Sequence, residues 1–274
     1  MARRTPTSFA GSHVIITGGS SGIGLATATQ LAARGADVSL IARTASRLDS
    51  AAASIRSAHP GVTVRTASVD VADKDAIEAA LAELTSDDPC DILITAAGLA
   101  HPGHFVELPD DLFRETMDVD YFGTLWPIRA VVPSMIDRRR GSVVAVSSAA
   151  GLVGIFGYTA YAPAKFAVRG LMEALRQELA PHGVHVGCVY PPDVDTPQLE
   201  YENRFKPAET RAISGSIKPL TAEAVAATIV EGIERRRFAI IPDAQTKLLA
   251  RTVNLVPELF AAVFDRSVRR ARRP

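Results

Sequence analysis

The chain is poor in cysteine, in tryptophan and in any excess of charge, and each shortage removes a class of protein. Only Cys90 and Cys188 occur among 274 residues, too few for a disulfide framework. Both stand in or beside apolar runs and read as buried free thiols of a reducing compartment. Aromatic residues make up 6% with a single Trp, too little for a base-stacking surface. Lys and Arg number 30 against 30 Asp and Glu, so the basic excess that nucleic-acid binding rests on is missing and no nucleic-acid partner is expected. No stretch approaches the roughly 18 uninterrupted apolar residues of a membrane span. The arginines near the N-terminus are followed by no apolar core segment, so no signal peptide is expected. The expected location is the cytoplasm, with peripheral contact at a membrane surface the one exception.

What is present is a globular balance, 47% hydrophobic and 22% charged, able to bury a full core. Short β-branched runs at 13–17, 37–41, 62–67, 91–95, 142–147, 184–190 and 238–241 read as strands. Between them, 23–34, 45–58, 74–84, 119–138, 166–180 and 222–235 carry helical patterning. Such alternation predicts an α/β fold, one Rossmann-type, doubly wound parallel sheet of about seven strands with helices on both faces. Gly35 and Gly183 are expected to close helices, and Pro127 to kink the 119–138 helix. The segment 191–219 holds five prolines and reads as an irregular substrate lid. The expected organisation is one catalytic domain, 1–243, followed by an amphipathic, basic tail, 244–274.

The first strand runs into Gly18, Ser20, Ser21, Gly22, Ile23 and Gly24 and then into a helix. Glycines there permit a tight turn and close backbone approach, while the helix N-terminus offers free N–H groups to a pyrophosphate. After the second strand stand Arg43 and Arg47, with no acid to meet a ribose hydroxyl. Those guanidinium groups suit a 2′-phosphate, so NADP(H) is the expected cofactor. Asp70 and Val71 follow the third strand, placed either beside the adenine or as the cap of the next helix. In Gly157–Leu179, Tyr161 and Lys165 lie four apart, hence on one helical face. A neighbouring ammonium favours the phenolate, which makes Tyr161 a candidate acid and base.

On these residues the chain resembles the short-chain dehydrogenase/reductase family over nearly its whole length. The TGGSSGIG turn, the Ser147-Ser148 pair, Tyr161-x-x-x-Lys165 and Pro191-Pro192-x-Val194-x-Thr196 fall in the family's order. The family's catalytic serine lies thirteen residues before the tyrosine, which selects Ser148. The resemblance implies that Ser148 polarises a carbonyl, Tyr161 exchanges the proton and Lys165 holds the nicotinamide ribose. It also implies that Pro191, Val194, Thr196, Ala97 and Gly98 lie along the cofactor. Two departures stand out: Thr95-Ala96 where asparagines are usual, and Asp120 in place of the family's catalytic asparagine. An aspartate there is expected to oppose the phenolate and raise the pKa of Tyr161.

The segment 157–211 is similar in particular to 3-ketodihydrosphingosine reductases, notably Glu202-Asn203-Arg204, Lys206-Pro207 and Glu209-Thr210-Arg211 in the lid. That similarity implies reduction of the 3-keto group of a long-chain base or a related lipid ketone. The rival readings are a reductase of 3-ketoacyl thioesters or ring ketones, and a non-catalytic NADP(H)-binding sensor. Family resemblance further implies a homodimer or homotetramer built through the 119–138 and 166–180 helices. The pairs His101/His104 and His182/His185 have metal-like spacing but no acidic or thiol partners, so no metal is expected. In the tail, Leu249, Val253, Val256, Phe260 and Val263 form an apolar series beside Arg266, Arg269, Arg270, Arg272 and Arg273. The series fits packing on the chain's own domain or on a second copy, and also docking to anionic lipid.

Overall fold

A computed structural model describes residues 9–214, 218–253 and 255–271, leaving lid residues 215–217 and tail residues Arg272 and Arg273 outside. The side chain of Phe260 lies outside it too. The order begins β1 (His13–Thr17), α1 (Gly22–Ala32), β2 (Asp37–Ala42), α2 (Ala45–Ala58), β3 (Val64–Ser68), α3 (Lys74–Leu84) and β4 (Ile92–Thr95). It continues with α4 (Asp110–Thr116), a π-helical turn (Met117–Phe122), α5 (Gly123–Asp137), β5 (Ser142–Val146), α6 (Tyr161–Leu179) and β6 (His185–Val189). The last third holds β7 (Val194–Asp195), α7 (Pro197–Phe205), α8 (Ala208–Ser214), β8 (Leu220–Thr221) and α9 (Ala222–Glu234). It ends with β9 (Ala239–Ile240), α10 (Ala244–Thr252) and α11 (Pro257–Ala271).

The main sheet has seven strands in the order β3-β2-β1-β4-β5-β6-β9, all pairs parallel. Strand alternation explains its two layers. Val14, Ile16, Leu40 and Ile94 face a layer built by α1, α2 and α9, where Leu31, Leu48, Ile55 and Ile229 are buried. Ile15, Ile41, Leu93 and Val143 face the opposite layer of α3, α5 and α6, around Ile77, Met135, Val168 and Met172. Because both faces are covered, the strands read as continuous apolar runs. The order reverses between β1 and β4, and the crevice at such a switch point is where parallel sheets bind ligands.

Gly35 and Gly183 close their helices at φ 83° and 75° as expected. Cys90 and Cys188 are buried free thiols, and burial pushes each up to about 12. Two expectations need correction. The helix expected over 119–138 is instead a π turn followed by α5, and α5 runs on through Pro127 and Pro133. The Thr124 hydroxyl donates to the Asp120 carbonyl at 2.8 Å within that turn. The 191–219 segment is largely helical: Thr196 caps α7 by accepting from the Leu199 N–H at 3.3 Å, with Pro197 opening the helix. Proline there starts structure as well as ending it.

Ile229 is fully buried where α9 packs on α1. Ile229→Ala should cost about 2–5 kcal/mol, read as a lower urea midpoint at unchanged slope.

Candidate active site

The turn after β1 is shaped by what its glycines lack. Gly18 sits at φ 70°, and a Cβ there would come within 2.7 Å of the Ala96 backbone. A Cβ on Gly24 would collide with the Gly18 carbonyl oxygen. The turn therefore closes tightly against the end of β4 and brings the first turn of α1 to the crevice. Ser21 precedes α1 in extended conformation without capping it by its side chain, so the first N–H groups stay available to an anion.

One cavity of about 930 Å³ runs from this turn across the strand ends. Gly18, Ser20, Ser21, Gly22, Ile23, Gly24, Arg43, Arg47, Asp70 and Val71 line one part of it. Ala97, Gly98, Ser148, Tyr161, Lys165, Pro191, Val194 and Thr196 line the rest. Arg43 is exposed and only 3.9 Å from Asp70 at its nearest approach, leaving its guanidinium accessible. Asp70 accepts from the Ala72 N–H at 3.0 Å, whereas the cap of α3 is Asp73.

The reacting corner is built by β5, α6 and the π turn. Ser147, 2% exposed, donates to the Lys165 carbonyl at 2.9 Å and ties β5 to α6. Ser148, one residue on, instead turns its hydroxyl to the Tyr161 phenol and accepts from the Ala150 N–H at 3.1 Å. The structure thus separates the two serines by their partners. Tyr161 opens α6 and Lys165 stands one turn on, its ammonium 5.4 Å from the phenol ring centre. That ammonium is 3% exposed, 3.3 Å from the Val146 carbonyl and 3.4 Å from Asp120 Oδ1.

Asp120 is wholly buried and does not line the cavity. Its Oδ1 also accepts from the Leu99 N–H at 2.9 Å, while Oδ2 has no hydrogen-bond partner among the described residues. Burial raises its pKa, and Lys165 and the Leu99 N–H oppose the rise. The Tyr161 phenol lies well above the usual range: burial is the main cause, then the charges of Asp120, Glu202 and Asp193, with Ser148 pulling the other way. Burial, and after it the Asp120 charge, act against the lowering expected from the Lys165 ammonium. The expected upward influence of Asp120 is present.

The lid and the tail close the remaining sides. Lys206 joins Asp193 at 2.9 Å, Tyr158 donates to Glu202 Oε2 at 2.6 Å, and Thr210 donates to the Phe156 carbonyl at 2.9 Å. Sequence reasoning singles out Glu202, Lys206 and Thr210 as lid residues but not these partners, since each contact joins residues far apart in the chain. Helix α11 packs on α8, and Thr246, Leu249 and Phe264 reach the main cavity. A second cavity of about 400 Å³ lies between α11, Val153 and Ile213, and shares Val153, Ile213 and Phe264 with the first. His185 is engaged by Ser142 Oγ at 2.7 Å and the Arg237 carbonyl at 2.9 Å, and His101 by Tyr201 at 2.9 Å. Among the described residues, no group of three or more His, Cys, Asp or Glu is placed to hold a metal.

A glycine cradle at the switch point of a parallel sheet, opening onto a serine, a tyrosine and a lysine, defines a nucleotide-dependent oxidoreductase of Rossmann architecture. The short chain dehydrogenase family model matches residues 12–207. The chain belongs to that family. It is similar to a 3-ketodihydrosphingosine reductase of Dictyostelium discoideum, 38% identical over 280 residues, which covers 96% of this chain and 84% of the relative. A Mus musculus protein of the same name is 42% identical over 237 residues, 85% of this chain and 71% of that one. Among solved structures, a short-chain dehydrogenase from Sphingobium yanoikuyae in complex with NADPH superposes with a TM-score of 0.79 at 26% identity, over 92% of this chain and 95% of that one.

Removing the Asp120 charge should ease formation of the phenolate. In Asp120→Asn, the acidic limb of the pH–rate profile for alcohol oxidation should move to lower pH by about one unit. An unmoved limb would show that Asp120 and Tyr161 are not coupled.

Proposed function

We propose that this chain is an NADPH-dependent reductase that converts the 3-keto group of a long-chain, sphingoid-type base to a secondary alcohol. The convergence of Ser148, Tyr161 and Lys165 on one cavity carries this reading, and the relatives named above supply the substrate class.

The residues present fit the cofactor. Gly18 and Gly24, without side chains, let the turn close tightly on Ala96 and on itself, the α1 N-terminus faces the cavity, and Arg43 stands accessible at its far end. We assign Gly18, Ser20–Gly24, Arg43, Arg47, Asp70, Val71, Ala97, Gly98, Pro191, Val194 and Thr196 to holding NADP(H). When bound, NADPH supplies the hydride that reduces the carbonyl carbon. The Ser148 hydroxyl donates to the carbonyl oxygen and polarises it. Tyr161 gives that oxygen its proton as the general acid. Lys165 holds the ribose and restores charge balance as the proton leaves, and Asp120 fixes Lys165 from beneath. The alkyl chain of the substrate lies along the second, largely apolar cavity under α11.

Residues 1–243 form the catalytic domain in this reading, and 244–274 a helical closing element over the site. The cytoplasm is the proposed location. The exposure of Leu248, Leu255, Val256 and Val263 beside Arg251, Arg266 and Arg269 supports peripheral contact with anionic lipid. Exposed Phe166 on α6 supports assembly into a dimer or tetramer through that helix and α5.

Purified protein should oxidise NADPH in the presence of 3-ketodihydrosphingosine, and Tyr161→Phe should lower the rate at least ~100-fold, the scale of general acid catalysis. A Phe variant as fast as the parent would end the assignment. In a flotation assay at low salt the full chain should rise with phosphatidylserine vesicles and be released by high salt. Protein that stays in solution under both conditions removes the membrane contact.

A further inference from the structure

Helix α7 brings to the cavity wall one carboxylate that the proposed chemistry leaves unused. Glu202 is 7% exposed yet lines the cavity that holds Tyr161. Its Oε2 accepts from the Tyr158 hydroxyl at 2.6 Å and its Oε1 from the Gln198 amide at 3.0 Å. Both donors are neutral. The nearby ammonium on the lid, Lys206, is spent on Asp193 at 2.9 Å. Among the described residues Glu202 therefore has hydrogen bonds but no salt bridge of its own, and only the more distant Lys206 charge stabilises its carboxylate, an expensive state for a buried group.

Its position relative to the reacting phenol is fixed by Tyr158. The Tyr158 ring is 5.8 Å from that of Tyr161, so the carboxylate lies one hydrogen bond beyond a residue in contact with the proposed acid. The Glu202 charge is one of the influences that raise the Tyr161 pKa. In this corner the carboxylates of Asp120, Asp193 and Glu202 face the ammonium groups of Lys165 and Lys206, three against two. A ligand that enters with a positive charge close to its ketone would give these carboxylates a further partner.

We infer that Glu202 is the specificity-determining residue for an α-amino ketone, its carboxylate pairing with the protonated amine on the carbon next to the carbonyl. This rests on the reductase reading above and adds to it the group that reads the amine. Two hydrogen bonds hold the carboxylate in place before substrate arrives, so little ordering is needed on binding. Burial raises the Glu202 pKa, and a bound ammonium would draw it back down. A 3-ketoacyl thioester or a ring ketone carries no such cation. The same carboxylate would penalise those neutral ketones, since they desolvate it without pairing it.

The test compares two ketones in the same preparation: a water-soluble short-chain 3-keto-2-amino-1-alcohol and its analogue without the amine. The ratio of their kcat/KM values cancels any loss of folded protein. The parent should prefer the amine, and Glu202→Gln, which keeps an acceptor for Tyr158, should lower that ratio by about 10- to 100-fold, mainly through KM for the amine. A ratio unchanged by the substitution, or a parent with no preference, overturns the assignment to Glu202 while leaving the reductase reading intact. Should the parent reduce neither ketone, that reading fails instead, and titration with the corresponding amino alcohol still decides the role of Glu202. Weaker binding to Glu202→Gln by a similar factor upholds the pairing, and equal binding ends it.

Discussion

Everything chemical in this molecule depends on a buried ammonium and a buried carboxylate held 3.4 Å apart beneath a phenol. Neither charge is tolerable alone at that depth, where solvent is excluded and an unpaired ion carries a penalty of several kcal/mol (roughly). Lys165 and Asp120 are placed against each other by separate parts of the chain. The first turn of α6 supplies the lysine, and a π turn ahead of α5 supplies the aspartate. A third element admits them both: a Cβ on Gly98 would come within 2.9 Å of Asp120 Oδ1 and 3.4 Å of Lys165 Nζ. The pair is thus a joint between three segments. Burial raises the Tyr161 pKa most, and the Asp120 charge adds to that rise.

The sheet explains why that joint and the glycine cradle share one cavity. All main-sheet strands run parallel, so their C-terminal ends lie on one edge, and each loop leaving that edge delivers its functional groups to the same side. Turns after β1, β2, β3 and β4 deliver Gly18, Arg43, Asp70 and Ala97, and those after β5 and β6 deliver Ser148 and Val194. Burial of both sheet faces makes that edge rigid. The remaining walls of the cavity come from elements outside the sheet, namely helices α7, α8, α10 and α11.

How far the sequence reveals this depends on the range of each interaction. The alternation of elements, the glycine turn and the Tyr161–Lys165 spacing are local patterns, so they are legible residue by residue. Ser148 becomes legible only through family spacing, and the physical reason for it, that Ser147 is spent on the Lys165 carbonyl, needs the fold. The π turn is hidden because an apolar pattern over 119–138 suits α and π geometry alike across one turn. Helices α7 and α8 are hidden because prolines read as interruptions, although Pro197 sits where a helix tolerates it best. The pairing of Tyr158 with Glu202 joins positions 44 apart and leaves no periodic trace.

The lid and tail also explain how a polar reaction corner and an apolar ligand can share one site. Charged groups gather where α7 meets the loop before α6: Glu202 and Lys206 from the lid region, Asp193 from the β6 exit, Lys165 and Asp120 below. On the other side of Val153 and Ile213 the lining turns to Val253, Ala261, Phe264 and Val268. Phe264 borders both spaces, so α11 is part of the wall they share. A ligand with a small polar head and a long alkyl chain would satisfy both halves at once, with its head desolvated among partners and its chain against apolar side chains. A compact, uniformly polar ketone would leave the second space unfilled. The partition of polarity along the cavity therefore argues for the same substrate class as the reacting groups do, from a different part of the chain.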